Sequence, residues 1–437
     1  MYLQIGIILA IMVVAYAIAK WKKLSVELSM LSAAVAGGIA GTFVSAPPIS
    51  QLARHLVEGS FTYIDVILVF TTATIFMAIV NESGGVNYVV RGTIKYFYNI
   101  RVIALILLMI IILIPGALTG AGSVSLLVVG APVALALGYL GIPKRRVAAI
   151  LFIVAGLSAA APPVNIWAMI LCAGTAIPYV GFELPLGIPV LLLGTFTVLF
   201  LGWKKEGSMD LETALKDMPE VPAKMSWWRV FLPFLVFFGL VVGYRIWPFS
   251  MPILGLPLQF AIAALVALLV SPVRIKILSL SRDTVKRLLP LLATMAVVGA
   301  LQQVMTATGV RGLLSFAVIS IPLLLLFILL AIIIPVSEGV LTYGGAAIIG
   351  IPLIWFLDSI GLHATVVMAG LSLLWPLGDG LPPTALIGRL SVMVSEYKES
   401  YWTFLRSTWV PWVIITIVGI LMVVFSARLE FLVRWSM

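Results

Sequence analysis

Apolar residues along this chain gather in long runs separated by short polar segments, and most runs approach the roughly 20 residues that a helix needs to cross about 30 Å of hydrocarbon. Uninterrupted runs lie at 3–19, 26–44, 61–80, 184–201, 230–247, 253–270, 288–306 and 404–426, which predicts eight spanning helices. Two further runs, 146–177 and 363–394, are long enough to cross but carry Ala161-Pro162-Pro163 and Leu381-Pro382-Pro383 near their middles. Proline removes a helical hydrogen bond and clashes with the preceding turn, so each is predicted to be a helix, a gap and a second helix. The expected crossings are then ten.

Two apolar stretches, 101–140 and 321–360, are each about twice the length of a span. Small or polar residues interrupt them centrally, at Pro115-Gly116-Ala117-Leu118-Thr119-Gly120-Ala121-Gly122-Ser123 and at Pro335-Val336-Ser337-Glu338-Gly339. Each stretch is either two full spans or one re-entrant hairpin, and periodicity does not choose between them.

Composition agrees with this pattern and removes other classes. Hydrophobic residues make up 62% of the 437 and charged residues 10%, whereas a soluble domain carries about 25% charged residues. The chain therefore reads as an all-α polytopic membrane protein, and its first apolar run reads as a retained span rather than a cleaved signal. One cysteine, Cys172, excludes an internal disulfide, and two histidines leave no Cys/His cluster for zinc or haem. No cofactor is expected. There is no phosphate-cradling glycine loop, so direct ATP drive within the chain is not expected, and no nucleophile, base and orienter converge as they would in an enzyme.

The net charge of +10 would raise the question of nucleic acid in a soluble protein; here it bears first on topology. With the stretches read as hairpins and both termini outside, 22 of the 27 Lys and Arg fall on the cytoplasmic side and only Arg54, Arg245, Arg311, Arg428 and Arg434 outside. That skew is what the positive-inside rule expects of a multi-pass protein in the cell (cytoplasmic, or inner) membrane. Full spans in place of hairpins would preserve it, since both add an even number of crossings. No nucleic acid is expected as a partner, and the tryptophans, Trp227 and Trp228 among them, suit an interfacial belt in the lipid bilayer.

The chain also repeats itself. Pro115 to Pro162 and Pro335 to Pro382 are both 47 residues, an offset of 220, under which Gly130, Pro132, Gly141 and Pro163 fall on Gly350, Pro352, Gly361 and Pro383. Each half carries five crossings, one hairpin and one broken helix; five is odd, so the second copy enters from the opposite side. The expectation is two inverted-topology repeats, 1–203 and 229–437, joined by a cytoplasmic linker at 204–228 whose mixed charge suggests a solvated segment with one short surface helix. Ahead of each hairpin Gly85-Val86-Asn87-Tyr88-Val89-Val90-Arg91-Gly92 and Gly309-Val310-Arg311-Gly312 suggest amphipathic arms at the interface, with plain loops as the alternative.

Candidate chemistry lies at the four interruptions, where backbone groups that lipid cannot satisfy need ions, water or substrate. Helices restarting after Pro162-Pro163 and Pro382-Pro383 would aim positive dipole ends inward, which suits an organic anion. Thr119, Gly120, Ala121, Gly122 and Ser123 offer hydroxyls and approachable carbonyls suited to a hard cation such as sodium, or else close helix packing. Glu338 and Asp379 are the only acidic residues deep in the second copy's interruptions and read as cation ligands or proton carriers, or as helix caps. Thr119, Ser123, Glu338 and Asp379 are thus the candidate sodium ligands. Asn165, Ser337, Gly339 and Thr384 complete the candidate site as amide, hydroxyl and backbone ligands, or as helix-to-helix hydrogen bonds. Tyr343 reads as packing.

The run Gly116-Ala117-Leu118-Thr119-Gly120-Ala121-Gly122-Ser123, then Ile142-Pro143 and Ala161-Pro162-Pro163, resembles the first hairpin and broken helix of the large membrane (permease) subunit of TRAP (tripartite ATP-independent periplasmic) transporters, within the ion transporter superfamily. Pro335 to Pro352 and Leu381-Pro382-Pro383 are similar to the second. The resemblance spans nearly the whole chain. It implies sodium-driven import of an organic anion, commonly a C4-dicarboxylate or sialic acid, by an elevator motion, with a small membrane subunit and an extracytoplasmic substrate-binding protein as partners. The alternatives are a stand-alone ion-coupled carboxylate symporter, or a proton-coupled antiporter using Glu338 and Asp379.

Overall fold

The computed structural model describes residues 2–44, 48–204, 211–247, 250, 252 and 254–434, so Lys205, Glu206 and Asp210 of the linker lie outside the described residues. Among the described residues every regular element is helical. Among them eight helices are long and apolar enough to span a bilayer, or nine with the bent pair Tyr401–Ser407 and Trp409–Val424. Large apolar side chains face outward along them: Leu3, Leu269 and Leu324 are each more than 70% exposed. Patches of this kind would be costly in water and mark a surface that lipid covers, so the chain is a multi-pass membrane protein.

The pattern of runs maps onto helices, with differences of physical origin. The runs at 26–44 and 253–270 become the helices Val26–Thr42 and Leu256–Val270, of 17 and 15 residues. The run at 288–306 is the apolar part of a longer helix, Ile277–Ala307, whose first turns carry Arg282, Asp283, Lys286 and Arg287 and therefore resemble a loop in composition. A further helix, Ile49–Ser60, has no apolar run to announce it; only Leu52 and Gly59 are buried. Its Gly59 lies against Gly299 and Ala300, where a Cβ would meet the Ala300 Cα at 2.6 Å, so two backbones cross where side chains would hold them apart. The linker contains one short helix, Leu211–Asp217, tied down by a 2.7 Å hydrogen bond from the Tyr139 hydroxyl to Asp217. Both arms are helical, Gly85–Phe97 and Val310–Ile319.

Each double-length stretch is two helices joined by a tight turn. Arg101–Thr119 runs straight through Pro115, and Gly120 turns the chain in the left-handed region at φ 72°, a conformation a Cβ disfavours. The return is the apolar helix Gly122–Tyr139, which contains a π turn at Leu126–Gly130. In the second stretch Leu323–Leu341 runs through Pro335 and turns at Thr342, and the return begins with a π turn at Ala346–Gly350. Residues 337–339 therefore sit in the closing helical turns, not in the interruption where the sequence placed them.

The two proline-paired runs break as their composition demands. Lys144–Ala160 is followed by Ile166–Thr175, and Ala364–Gly378 by Leu386–Val394, with Pro162-Pro163 and Pro382-Pro383 in the gaps, each pair joined by a cis peptide bond. The first helix of each is buried almost all round, from Val147 to Ala160 and from Thr365 to Gly378. Such helices belong at the centre of a bundle. On one flank Val26–Thr42 and Ile49–Ser60 pack with Ile277–Ala307, and Tyr2–Trp21 packs on Val26–Thr42; on the other Leu256–Val270 packs with Ile64–Glu82 and with Trp227–Ile246, whose Phe237 stacks on Phe260 at 4.2 Å.

Local geometry recurs at the spacing of the sequence repeat. The π turns at 126–130 and 346–350, the helices that begin at Lys144 and Ala364, and the cis proline pairs are each 220 residues apart.

Candidate functional site

The centre is built where each hairpin meets a helix break. At the first meeting the Val164 N–H donates to the Ala117 carbonyl at 3.0 Å; at the second the Thr384 N–H donates to the Gly339 carbonyl at 3.2 Å. A hairpin helix thus supplies an acceptor to backbone that proline has left without a helical partner. The halves also interlock. A Cβ at Gly130 would meet Val394 at 3.0 Å, and one at Gly350 would meet Leu171 at 2.6 Å, so each hairpin's π turn rests on the broken helix of the other half. The two broken helices touch at Gly156 and Pro376, where a Cβ on Gly156 would lie 3.1 Å from that of Pro376; the two positions are 220 residues apart.

At the first meeting most polar groups are committed locally. Thr119 is fully buried and donates its hydroxyl to the Pro115 carbonyl at 2.8 Å. Asn165 caps the restarting helix, its Oδ1 accepting from the Ala168 N–H at 2.9 Å while its Nδ2 donates to the Ala160 carbonyl at 3.0 Å. The gap is stapled by Tyr179, whose hydroxyl accepts from the Asn165 N–H at 3.0 Å and donates to the Pro163 carbonyl at 3.1 Å. Gly120 lies against Ile166, and Gly122 against Ala155 and Ile387; Ser123 is buried beside them. Neither the hairpin tip, 119–123, nor the gap, 161–165, contains an acidic residue.

The second meeting has the same backbone plan and different chemistry. Glu338 and Asp379 are both more than nine-tenths buried, and Tyr343, in the turn of the same hairpin as Glu338, is buried too. Among the described residues no Lys, Arg or His forms an ion pair with either carboxyl. Gly378 packs against the Pro335 carbonyl and the Glu338 Cβ, which brings Asp379 beside the hairpin. Ser337 donates to the Ile334 carbonyl at 2.7 Å and Thr384 to the Gly339 carbonyl at 2.9 Å, so these hydroxyls hold the backbone. Tyr401 staples this gap as Tyr179 does the first, donating to the Gly380 carbonyl at 2.8 Å.

One side chain joins the two meetings. Trp167, in the first turn of the helix that restarts after Pro162-Pro163, donates its indole N–H to Glu338 Oε2 at 2.9 Å, and its ring lies tilted by 48° against that of Tyr343 with centroids 5.4 Å apart. The structure therefore brings together Glu338, Gly339, Asp379 and Thr384 at the second meeting, and Thr119, Gly120, Gly122, Ser123, Pro162, Pro163 and Asn165 at the first. Sequence reasoning missed Trp167, Tyr179 and Tyr401; an aromatic in an apolar run carries no local sign of a contact 171 residues away.

A cavity of about 510 Å³ opens beside the first hairpin tip. Val124, next in sequence to Ser123, lines it together with Arg274, Lys276 and Arg287, and with the acids Glu82 and Asp283.

No profile of a known protein family matches the chain, and no curated protein matches it. Among solved structures it is similar to the YdaH transporter of Alcanivorax borkumensis, described as having an unusual topology, with a TM-score of 0.57 at 15% sequence identity over 84% of this chain and 86% of that one. The chain thus shares the fold of that structure.

Proposed function

We propose that this protein is a secondary active transporter that imports an organic anion, a carboxylate such as a C4-dicarboxylate or sialic acid, coupled to sodium. The observation that carries this reading is the paired meeting of hairpin and helix break, one member of which buries Glu338 and Asp379 with no ion-pair partner among the described residues. Two buried carboxyls so placed need a cation or a proton. Helices restarting beyond the proline pairs supply the N-terminal dipoles an anion favours, and the cavity beside the first tip carries three cations, Arg274, Lys276 and Arg287, against two acids, Glu82 and Asp283.

The repeat supports alternating access. A contact between Gly156 and Pro376, equivalent positions under the 220-residue offset, is what two halves related by a two-fold axis would make. In this reading the halves are inverted repeats, both termini face outward, and the central hairpins and broken helices move as an elevator against the flanking helices. A TRAP-type assembly adds a small membrane subunit and an extracytoplasmic binding protein. A stand-alone or proton-coupled carrier is the second reading, favoured by the same carboxyl pair, since two adjacent acids also suit a shared proton.

Uptake of radiolabelled succinate or sialic acid into proteoliposomes tests this. Accumulation driven by an imposed sodium gradient and dependent on added binding protein is expected. Uptake without that protein favours the stand-alone carrier, and uptake driven only by a pH gradient favours proton coupling.

A further inference from the structure

We propose that Trp167 is a positioning residue that couples the two ends of the site, holding Glu338 in its cation-binding geometry from the helix that frames the anion end. The proposal rests on the transport reading above. Trp167 is fully buried, and its indole nitrogen donates to the Glu338 carboxyl at 2.9 Å. An indole donates and cannot accept, so the bond fixes which carboxyl oxygen remains free for a cation. Burial strengthens a hydrogen bond to a charged group and penalises its loss.

The placement gives the bond its consequence. Trp167 stands two residues after Asn165, the cap of a helix that begins at a break, so a ligand that shifts this helix start also moves the donor. On the other side Glu338 lies in the last turn of a hairpin helix, where its own carbonyl accepts from the Thr342 N–H at 2.8 Å. The indole and the Tyr343 ring, 5.4 Å apart, make the same bridge by packing. Under the repeat Trp167 corresponds to Ile387, which has no donor, and Glu338 to Leu118, which has no charge. The bridge is therefore one-sided: the repeat built the frame twice and the coupling once. A bland reading, that the indole only fills space, predicts that any ring of similar breadth would serve.

Trp167→Phe separates these readings, because it keeps an aromatic ring beside Tyr343 and removes only the donor. The measurement is the sodium concentration giving half the maximal thermal stabilisation of purified protein, with choline replacing sodium at constant ionic strength and no substrate present. In the variant that concentration is expected to rise about tenfold or more, as loss of a hydrogen bond to a charged group implies. In proteoliposomes at saturating sodium, the substrate KM is expected to stay within about twofold, since the donor acts through Glu338 and not on the anion. Glu338→Gln, which keeps an acceptor for the indole but removes the charge, should abolish the sodium-dependent stabilisation itself, so the two variants separate loss of the donor from loss of the cation ligand. A wild type that responds to sodium and a Trp167→Phe variant that responds identically overturn this proposal alone. A wild type whose stability ignores sodium overturns the sodium reading and this proposal with it.

Discussion

The two meetings of hairpin and helix break share a backbone and differ in chemistry. Both pair a gap N–H with a hairpin carbonyl, and both gaps are stapled by a tyrosine, Tyr179 in one and Tyr401 in the other. Yet the first spends its polar groups on itself, through Thr119, Asn165 and Tyr179, whereas the second buries Glu338 and Asp379 and borrows its donor from across the molecule. Under the 220-residue offset Glu338 and Asp379 fall on Leu118 and Ala159. What the halves have in common makes the frame, and what they do not have in common makes the proposed cation end.

The largest test of that contrast is substitution of one residue at each end. Glu338→Gln or Asp379→Asn is expected to lower sodium-driven uptake by about 100-fold or more, and Thr119→Ala or Ser123→Ala by less than about tenfold, when initial rates are compared at equal reconstituted protein. Similar losses at both ends would erase the distinction.

Next comes the close approach at the second end. Gly378→Ala forces a Cβ onto the Pro335 carbonyl, which is backbone and cannot swing aside. A cost of about 1–3 kcal/mol is expected, read as a lower melting temperature in detergent. Asn165→Ala, which removes the cap at the first end, should cost about 1 kcal/mol by the same assay. A larger loss from Asn165→Ala than from Gly378→Ala would mean that the first end, not the second, is the tighter joint.

The smallest effect is expected at the polar edge. Lys144, which opens the first broken helix, pairs with Glu396 beyond the second at 3.0 Å, with both side chains exposed. The hydrogen bond and charge of Lys144 hold the Glu396 carboxyl below the usual glutamate range. A carboxyl lowered by folding adds stability above its unfolded value and loses it as pH falls through the folded one. Solvent screens such a pair, so Glu396→Gln should shift the melting temperature barely at neutral pH and not at all below about pH 3.

The frame was legible in the chain because proline and glycine dictate backbone. Pro162-Pro163 and Pro382-Pro383 announce gaps that no continuous helix could tolerate, and their spacing from Pro115 and Pro335 discloses the repeat. The turns were less legible. Pro115 and Pro335 sit within continuous helices, and the chain turns later, at Gly120 and Thr342. A single helical proline costs one hydrogen bond, which a well-packed bundle absorbs. Charge hid the start of Ile277–Ala307, and low apolarity hid Ile49–Ser60. Glu338 and Asp379 stood out as acids in apolar surroundings, but Trp167 did not, because a long-range donor leaves no local pattern.

Equilibrium binding of radioactive sodium to the purified wild type, Glu338→Gln and Thr119→Ala proteins tests the central claim most directly. The account predicts saturable binding by the wild type, its loss in Glu338→Gln and its retention in Thr119→Ala. Binding retained in Glu338→Gln and lost in Thr119→Ala would place the cation at the other end and contradict it.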